Sequence, residues 1–215
     1  MSYSITYEES DIALIATIRK ELGPTSASLT DHDIFRFLVA RSRNVSKTVE
    51  RLERYLPWTV AKLEENNNLT PSNIRELHDP NESIYTAHLP HSNLGHTKTG
   101  TPIYWEKTGF ISSSFNTVKK HLSADDLTTR HVRQQEVMFR DRCPKASEFY
   151  GRNIYKQAIV FDMKGLSYAL DTTALSVFKR TLVIDEAFYP ERLEILIMIN
   201  APWFFTSIWN MMRSW

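Results

Sequence analysis

The sequence predicts an α/β protein: a small N-terminal helical subdomain, then a mixed, largely parallel sheet with flanking helices. Three observations predict it. Apolar residues recur at helical spacing behind capping signals over the first third of the chain. Two apolar runs of strand length, YKQAIVFD (155–162) and LEILIMIN (193–200), stand further on. A helical pattern separates them, and neighbouring strands joined through a helix pair in parallel.

The elements follow in order. Thr6 with Glu9 forms a capping box, Ile12, Ile15, Ile18 and Leu22 form an apolar stripe, and Gly23-Pro24 ends the helix. Thr30 with Asp33 opens a second helix, DIFRFLVARSR, and Ser46 a third, which Pro57 is expected to kink. The polar run after Leu63 reads as loop and places the domain seam nearby, giving a helical domain over 1–75 and an α/β domain over 80–215. SIYTAHL (83–89) and TPIYWEKTG (101–109) read as strands with a loop between them. Ser123 with Asp126 caps a long helix that Cys143-Pro144 is expected to break. After YKQAIVFD comes a helix around Ala174 to Ile184. LEILIMIN then reads as an interior strand covered on both faces. Asn200 is a candidate cap for the final helix, which carries Trp203, Trp209 and Trp215 and has almost no polar face; such a helix is buried or touches lipid.

Composition excludes several classes. A net charge of +1 argues against a nucleic-acid binder that relies on bulk charge. The single cysteine, Cys143, rules out an internal disulfide framework. The N-terminus lacks the basic and apolar regions of a signal peptide, and no apolar run approaches the length of a membrane span, so a cytoplasmic protein is expected.

Chemical motifs are mostly missing. No nucleophile elbow, phosphate loop, dinucleotide fingerprint or zinc-protease helix occurs. His78, His88, His91 and His96 crowd together but read as solvated loop histidines, without the rigid spacing of a metal site, and no metal or cofactor is expected. Asp162, at the C-terminal end of a strand, is expected to bond the loop that follows it. Arg36, Arg41, Arg43, Lys47, Arg51 and Arg54 crowd the helices before the seam. Most read as a solvated face, while Arg41 and Arg192 are candidates to converge on a phosphate.

RFLVARSRNV (36–45), TPIYWEKTG (101–109), VFDMKGLS (160–167) and YPERLEILIMINAPWFF (189–205) resemble, in order and spacing, the CRAL-TRIO family of phosphatidylinositol and phosphatidylcholine transfer proteins. The resemblance covers roughly residues 30 to 215. It implies a non-enzymatic protein whose apolar pocket encloses one lipid, extracts it from a membrane, and transfers or presents it. By position, Arg41, Glu191 and Arg192 match the family's headgroup contacts, and Tyr104 matches a tyrosine of the lipid cavity. Gln157, Ile159 and Phe161 are expected to line that cavity with Tyr104. Gln157 and Ile159 stand where the family has a serine and a threonine that hold the phosphatidylcholine headgroup, so phosphatidylinositol is the favoured ligand. Ser42 replaces a frequent family lysine. The resemblance stops before the family's gating helix, so the sheet is expected to be incomplete at the C-terminus, with Trp203, Trp209 and Trp215 left as membrane-contact candidates.

The expected partners are therefore a phospholipid and, transiently, a membrane surface, with no nucleic acid and the chain a monomer. Two alternatives stand beside this reading: a module that docks on a membrane or protein without enclosing lipid, and a binder of a smaller hydrophobic ligand of the retinoid or tocopherol type.

Overall fold

The computed structural model describes residues 7–65 and 81–212. Three helices open it: α1 (Glu9–Leu22), α2 (Asp31–Ala40) and α3 (Val45–Glu65). Ile15, Ile18 and Leu22 of α1 pack on Ile34, Phe37 and Leu38 of α2 and on Leu52 of α3. Ile12, expected in the same stripe, points to solvent at 54% exposure. Gly23 ends α1 in the left-handed region at φ 61°. The Thr30–Asp33 capping box forms as expected. Thr6 lies outside the described residues, and Glu8 precedes α1 without a side-chain cap. Asn44, not Ser46, supplies the capping contact of α3, accepting from the Lys47 amide at 2.9 Å. The helix continues through Pro57.

The sheet has the order β1-β2-β3-β4, built from β1 (His91–His96), β2 (Pro102–Glu106), β3 (Gln157–Asp162) and β4 (Leu193–Ile199). β1 is antiparallel to β2, whereas β2 with β3 and β3 with β4 are parallel. Helix α4 (Glu82–His88) precedes β1, and the β2–β3 crossover carries α5 (Ile111–His121), α6 (Ala124–Val137) and α7 (Cys143–Tyr150). Helix α8 (Thr172–Phe188) makes the β3–β4 crossover, and α9 (Phe205–Met212) follows β4. Gly109 lets the segment after β2 pass the loop after β3, since a Cβ there would lie 2.2 Å from the Lys164 carbonyl oxygen.

Several elements differ from the sequence expectation. SIYTAHL is helical: Ile84, Tyr85 and Leu89 lie at helical spacing and join Phe115 and Val118 of α5 in one buried cluster, which outweighs the β-branched content. Residues 91–96, expected as loop, form β1 because the turn closing at Gly100 folds them back onto β2. The Ser123–Asp126 box caps α6 as expected, but Cys143-Pro144 does not end the helical run. A π-helical turn over Met138–Arg142 absorbs the proline, which falls in the first turn of α7, where its missing N–H costs nothing. LEILIMIN is not interior: β4 hydrogen-bonds only to β3 among the described strands. Leu193, Ile195, Ile197 and Ile199 are 46, 46, 42 and 40% exposed. An apolar run reports strand character but not whether both faces are covered. Asn200 does not cap α9; it adopts φ 54° and its amide donates to Asp162 Oδ1 at 2.8 Å. Asp162 also accepts from the Lys164 amide at 3.0 Å, the loop contact expected of it.

The helical region meets the α/β region along α2, α3 and the end of α8. Trp58 stacks on Phe188 at 4.0 Å and 8°, with Tyr189 edge-on at 5.8 Å. Arg36, 2% exposed, donates to the Pro190 carbonyl at 3.0 Å and to Asp33 at 3.1 Å. His32 sits beside it, its ring nitrogens buried without hydrogen-bond partners and its ring 4.4 Å from that of Tyr155.

Trp58→Ala removes the stacked ring and is expected to lower stability by about 2–3 kcal/mol in urea unfolding. Burial, then the charges of Arg192 and Arg36, hold the His32 pKa at about 3 against an ordinary value of 6.5. The unfolded chain therefore takes up this proton first as pH falls, and stability is lost progressively between those two values. Thermal denaturation followed across that range should show the loss, and His32→Phe should flatten the curve.

Candidate functional site

Strand pleating decides what the sheet presents. Along β2 and β3 alternate residues share a face, and the register sets Tyr104 beside Ile159 and Glu106 beside Phe161. The β3–β4 register continues both rows, with Ile159 beside Leu196 and Phe161 beside Met198. Helices α5, α6 and α8 arch over this face and leave a cavity of about 750 Å³. Tyr104, Gln157, Ile159 and Phe161, all expected from the sequence to line a pocket, line it together.

The cover is helical in period. Leu127, Arg130, His131, Gln134 and Gln135 of α6 face the cavity with Met138 of the π turn, and α8 contributes Val177, Phe178, Thr181, Leu182 and Asp185. One part of the wall is aliphatic and aromatic. Another is a chain of polar groups. The Tyr104 hydroxyl donates to Glu106 Oε2 at 2.8 Å and accepts from the Gln134 amide at 3.1 Å. Burial, then the Glu106 charge, pushes the Tyr104 hydroxyl pKa well above 10, so it remains a donor.

Gln157 donates to Gln135 Oε1 at 2.9 Å, and Gln135 donates to Asp185 Oδ1 at 3.2 Å. His131 Nε2 lies 2.7 Å from the same Asp185 oxygen. Arg130 stands over the Tyr85 ring at 4.0 Å with Nη2 beside the His91 ring. Burial, then that guanidinium, lowers the His91 pKa. His91 and His96 thus lie on β1 rather than in a loop, and His78 lies outside the described residues. Sequence reading missed His131 and Gln135. The signal was present as polar residues at i, i+3 and i+4 on a face that the apolar pattern marks as inward.

The expected headgroup residues lie outside the cavity wall. Arg41 is the C-cap residue of α2, and its Nη2 donates to Glu186 Oε1 at 2.7 Å. Glu191 adopts φ 58° and accepts from Lys156 Nζ at 3.3 Å. Arg192 is inserted in the seam: Nη1 donates to the Tyr155 carbonyl at 3.1 Å, Nη2 is 3.9 Å from Asp33, and the guanidinium covers the Phe139 ring at 4.5 Å. Burial, then the charge of Arg36, lowers its pKa to about 10. Arg41 and Arg192 therefore belong to two separate polar clusters, not to one phosphate clamp. Ser42 lies in the left-handed turn after α2 at φ 51°. Trp203 is 90% exposed ahead of α9, Trp209 lines the cavity edge, and Trp215 lies outside the described residues.

Among the described residues no three histidine, cysteine or carboxylate side chains group as metal ligands, and no helix is long and apolar enough to cross a membrane. The arrangement suits an apolar molecule lying against the aliphatic and aromatic part of the wall.

Comparison with known proteins gives the same direction. The chain is 24% identical over 208 residues to the SEC14 cytosolic factor of Candida glabrata, covering 96% of this chain and 66% of that protein. It is 28% identical over 185 residues to the phosphatidylinositol/phosphatidylcholine transfer protein SFH9 of Arabidopsis thaliana, covering 85% of this chain and 30% of that one. The chain thus spans two thirds or less of the length of these relatives. The crystal structure of Sfh5 superposes with a TM-score of 0.65 at 16% identity, over 98% of this chain and 77% of that one, which shows a shared fold. The CRAL/TRIO domain profile matches residues 91–215, more than half of the chain, and the protein belongs to the CRAL/TRIO domain family.

Proposed function

We propose that this protein is a non-enzymatic lipid carrier that takes a phospholipid, phosphatidylinositol in preference, into the cavity between the sheet and helices α5, α6 and α8, and moves it between membranes or presents it. The observation that carries the reading is the cavity itself: about 750 Å³, with Ile159, Phe161, Leu196 and Phe178 on its apolar side. Burying acyl methylene groups there stabilises the complex by about 0.8 kcal/mol each, without any chemical step. The names of the relatives, which include phosphatidylinositol/phosphatidylcholine transfer proteins, support the same substrate class.

Preference for the inositol lipid rests on two features. The Gln157 amide is already engaged by Gln135, and Ile159 offers no hydroxyl, so neither serves a choline headgroup. Arg41 retains a guanidinium at the seam, and Glu191 with Arg192 stand close to the same boundary of the two regions. A membrane-facing role for the aromatic end is supported by Trp203, with Phe204 edge-on to it at 5.7 Å and to Tyr168 at 5.5 Å. The protein then works from the cytoplasm as a monomer that visits the membrane surface.

Organic extracts of the purified chain, analysed by mass spectrometry, should contain phosphatidylinositol near stoichiometry. Ile159→Trp projects an indole from the centre of the apolar wall and should reduce the copurified lipid while circular dichroism stays unchanged. Arg41→Ala should reduce phosphatidylinositol selectively; equal loss of every lipid counts against headgroup recognition. Trp203→Ala should weaken liposome association by about tenfold, the effect of leaving one aromatic face out of the interface.

A further inference from the structure

Two guanidiniums from different helices converge on one carboxylate at the outer end of α8. Arg41 Nη2 lies 2.7 Å from Glu186 Oε1, and Arg51 Nη2 of α3 lies 3.1 Å from both Oε1 and Oε2. The arginine side chains are 22% and 21% exposed and the carboxylate is 58% exposed, so the cations are held by their surroundings while the anion is the loose member.

The helix end by itself is a poor place for this charge. Glu186 occupies the last turn of α8, where the free carbonyls disfavour negative charge. Burial raises its pKa, but the Arg41 hydrogen bond and the Arg51 charge outweigh this and hold the carboxyl below its ordinary range. One carboxylate answers two cations. Lys47, exposed and one helical turn before Arg51, adds a third positive charge to that face. Free phosphate suits such a fork better than a carboxylate, because it offers more acceptor oxygens and more charge, whereas the phosphodiester of a lipid headgroup equals the carboxylate in charge and competes by its tetrahedral arrangement of oxygens. An exposed ion pair is worth little, so exchanging it costs little.

We propose that Arg41 and Arg51 form a phosphate fork at the seam between α2, α3 and α8, and that Glu186 is an internal ligand which an incoming phosphate group displaces. The proposal rests on the headgroup role given above to Arg41 and extends it to Arg51 and Glu186. The shared chemistry is a phosphate oxyanion, from a lipid headgroup or from free phosphate.

The test uses the full chain in two arms: co-sedimentation with phosphatidylcholine vesicles carrying phosphatidylinositol, and calorimetric titration with inorganic phosphate. Glu186→Gln should bind the vesicles about threefold more tightly by removing the competing anion. Glu53→Gln, an exposed carboxylate of α3, removes the same charge elsewhere and should give no such gain. Adding Arg51→Met to Glu186→Gln should abolish the gain. A gain with inorganic phosphate but not with vesicles supports the fork and names free phosphate as its occupant. Equal gains in Glu53→Gln and Glu186→Gln, or no gain with either probe, overturn it. Copurified lipid separates the two readings: lipid present with a neutral Glu186→Gln sinks the fork alone, and a gain in a lipid-free protein sinks the carrier reading alone.

Discussion

The buried cluster of Asp33, Arg36 and Arg192 ties the rest of the molecule together. Arg36 reaches from α2 to the Pro190 carbonyl, and Asp33 lies between Arg36 and Arg192. Burial opposes ionisation of Asp33, but Arg36, the Thr30 hydroxyl and Arg192 outweigh it and hold its pKa at about 2. Removing two guanidiniums from water costs several kcal/mol each unless hydrogen bonds and a counter-charge replace the hydration. The observed arrangement of residues 189–192 brings the Pro190 carbonyl to Arg36 and the Arg192 guanidinium towards Asp33. That arrangement places Tyr189 against Trp58, puts Glu191 at positive φ, and launches β4 beside β3.

Helix α8 carries this constraint to the cavity. Its consecutive carboxylates point two ways: Asp185 inward to His131 and Gln135, and Glu186 outward to Arg41 and Arg51. The preceding turns supply Phe178, Thr181 and Leu182 to the cavity wall. A shift of α8 therefore bears on the cavity and on the seam at once, since packed elements respond as units rather than bending continuously. The polar strip from Gln157 through Gln135 to Asp185 is satisfied within the protein, so it holds the wall in place and leaves the apolar side to receive a ligand.

Local chemistry was the most legible part of the sequence. The capping boxes at Thr30 and Ser123 and the stop at Gly23 are short-range hydrogen-bond patterns, and each forms where expected. The cavity-lining set Tyr104, Gln157, Ile159 and Phe161 came from the family resemblance, and the observed strand register places all four on the cavity wall. SIYTAHL failed because contacts with α5 overrode its strand-like composition. The proline after Cys143 failed as a breaker because a π turn shifts the hydrogen-bond frame around it.

By itself the sequence determined the α/β class, the first three helices, the helix between the two apolar strands, and the resemblance that the family match bears out, since these rest on periodicity, caps and motifs within short windows. The tertiary structure alone decided that β4 pairs only with β3 among the described strands, that Arg192 is buried in the seam, and that His131 meets Asp185 and Arg51 meets Glu186. Those outcomes pair residues 54 and 135 positions apart in the chain. Their energy comes from desolvation and charge pairing at distances that no local pattern encodes.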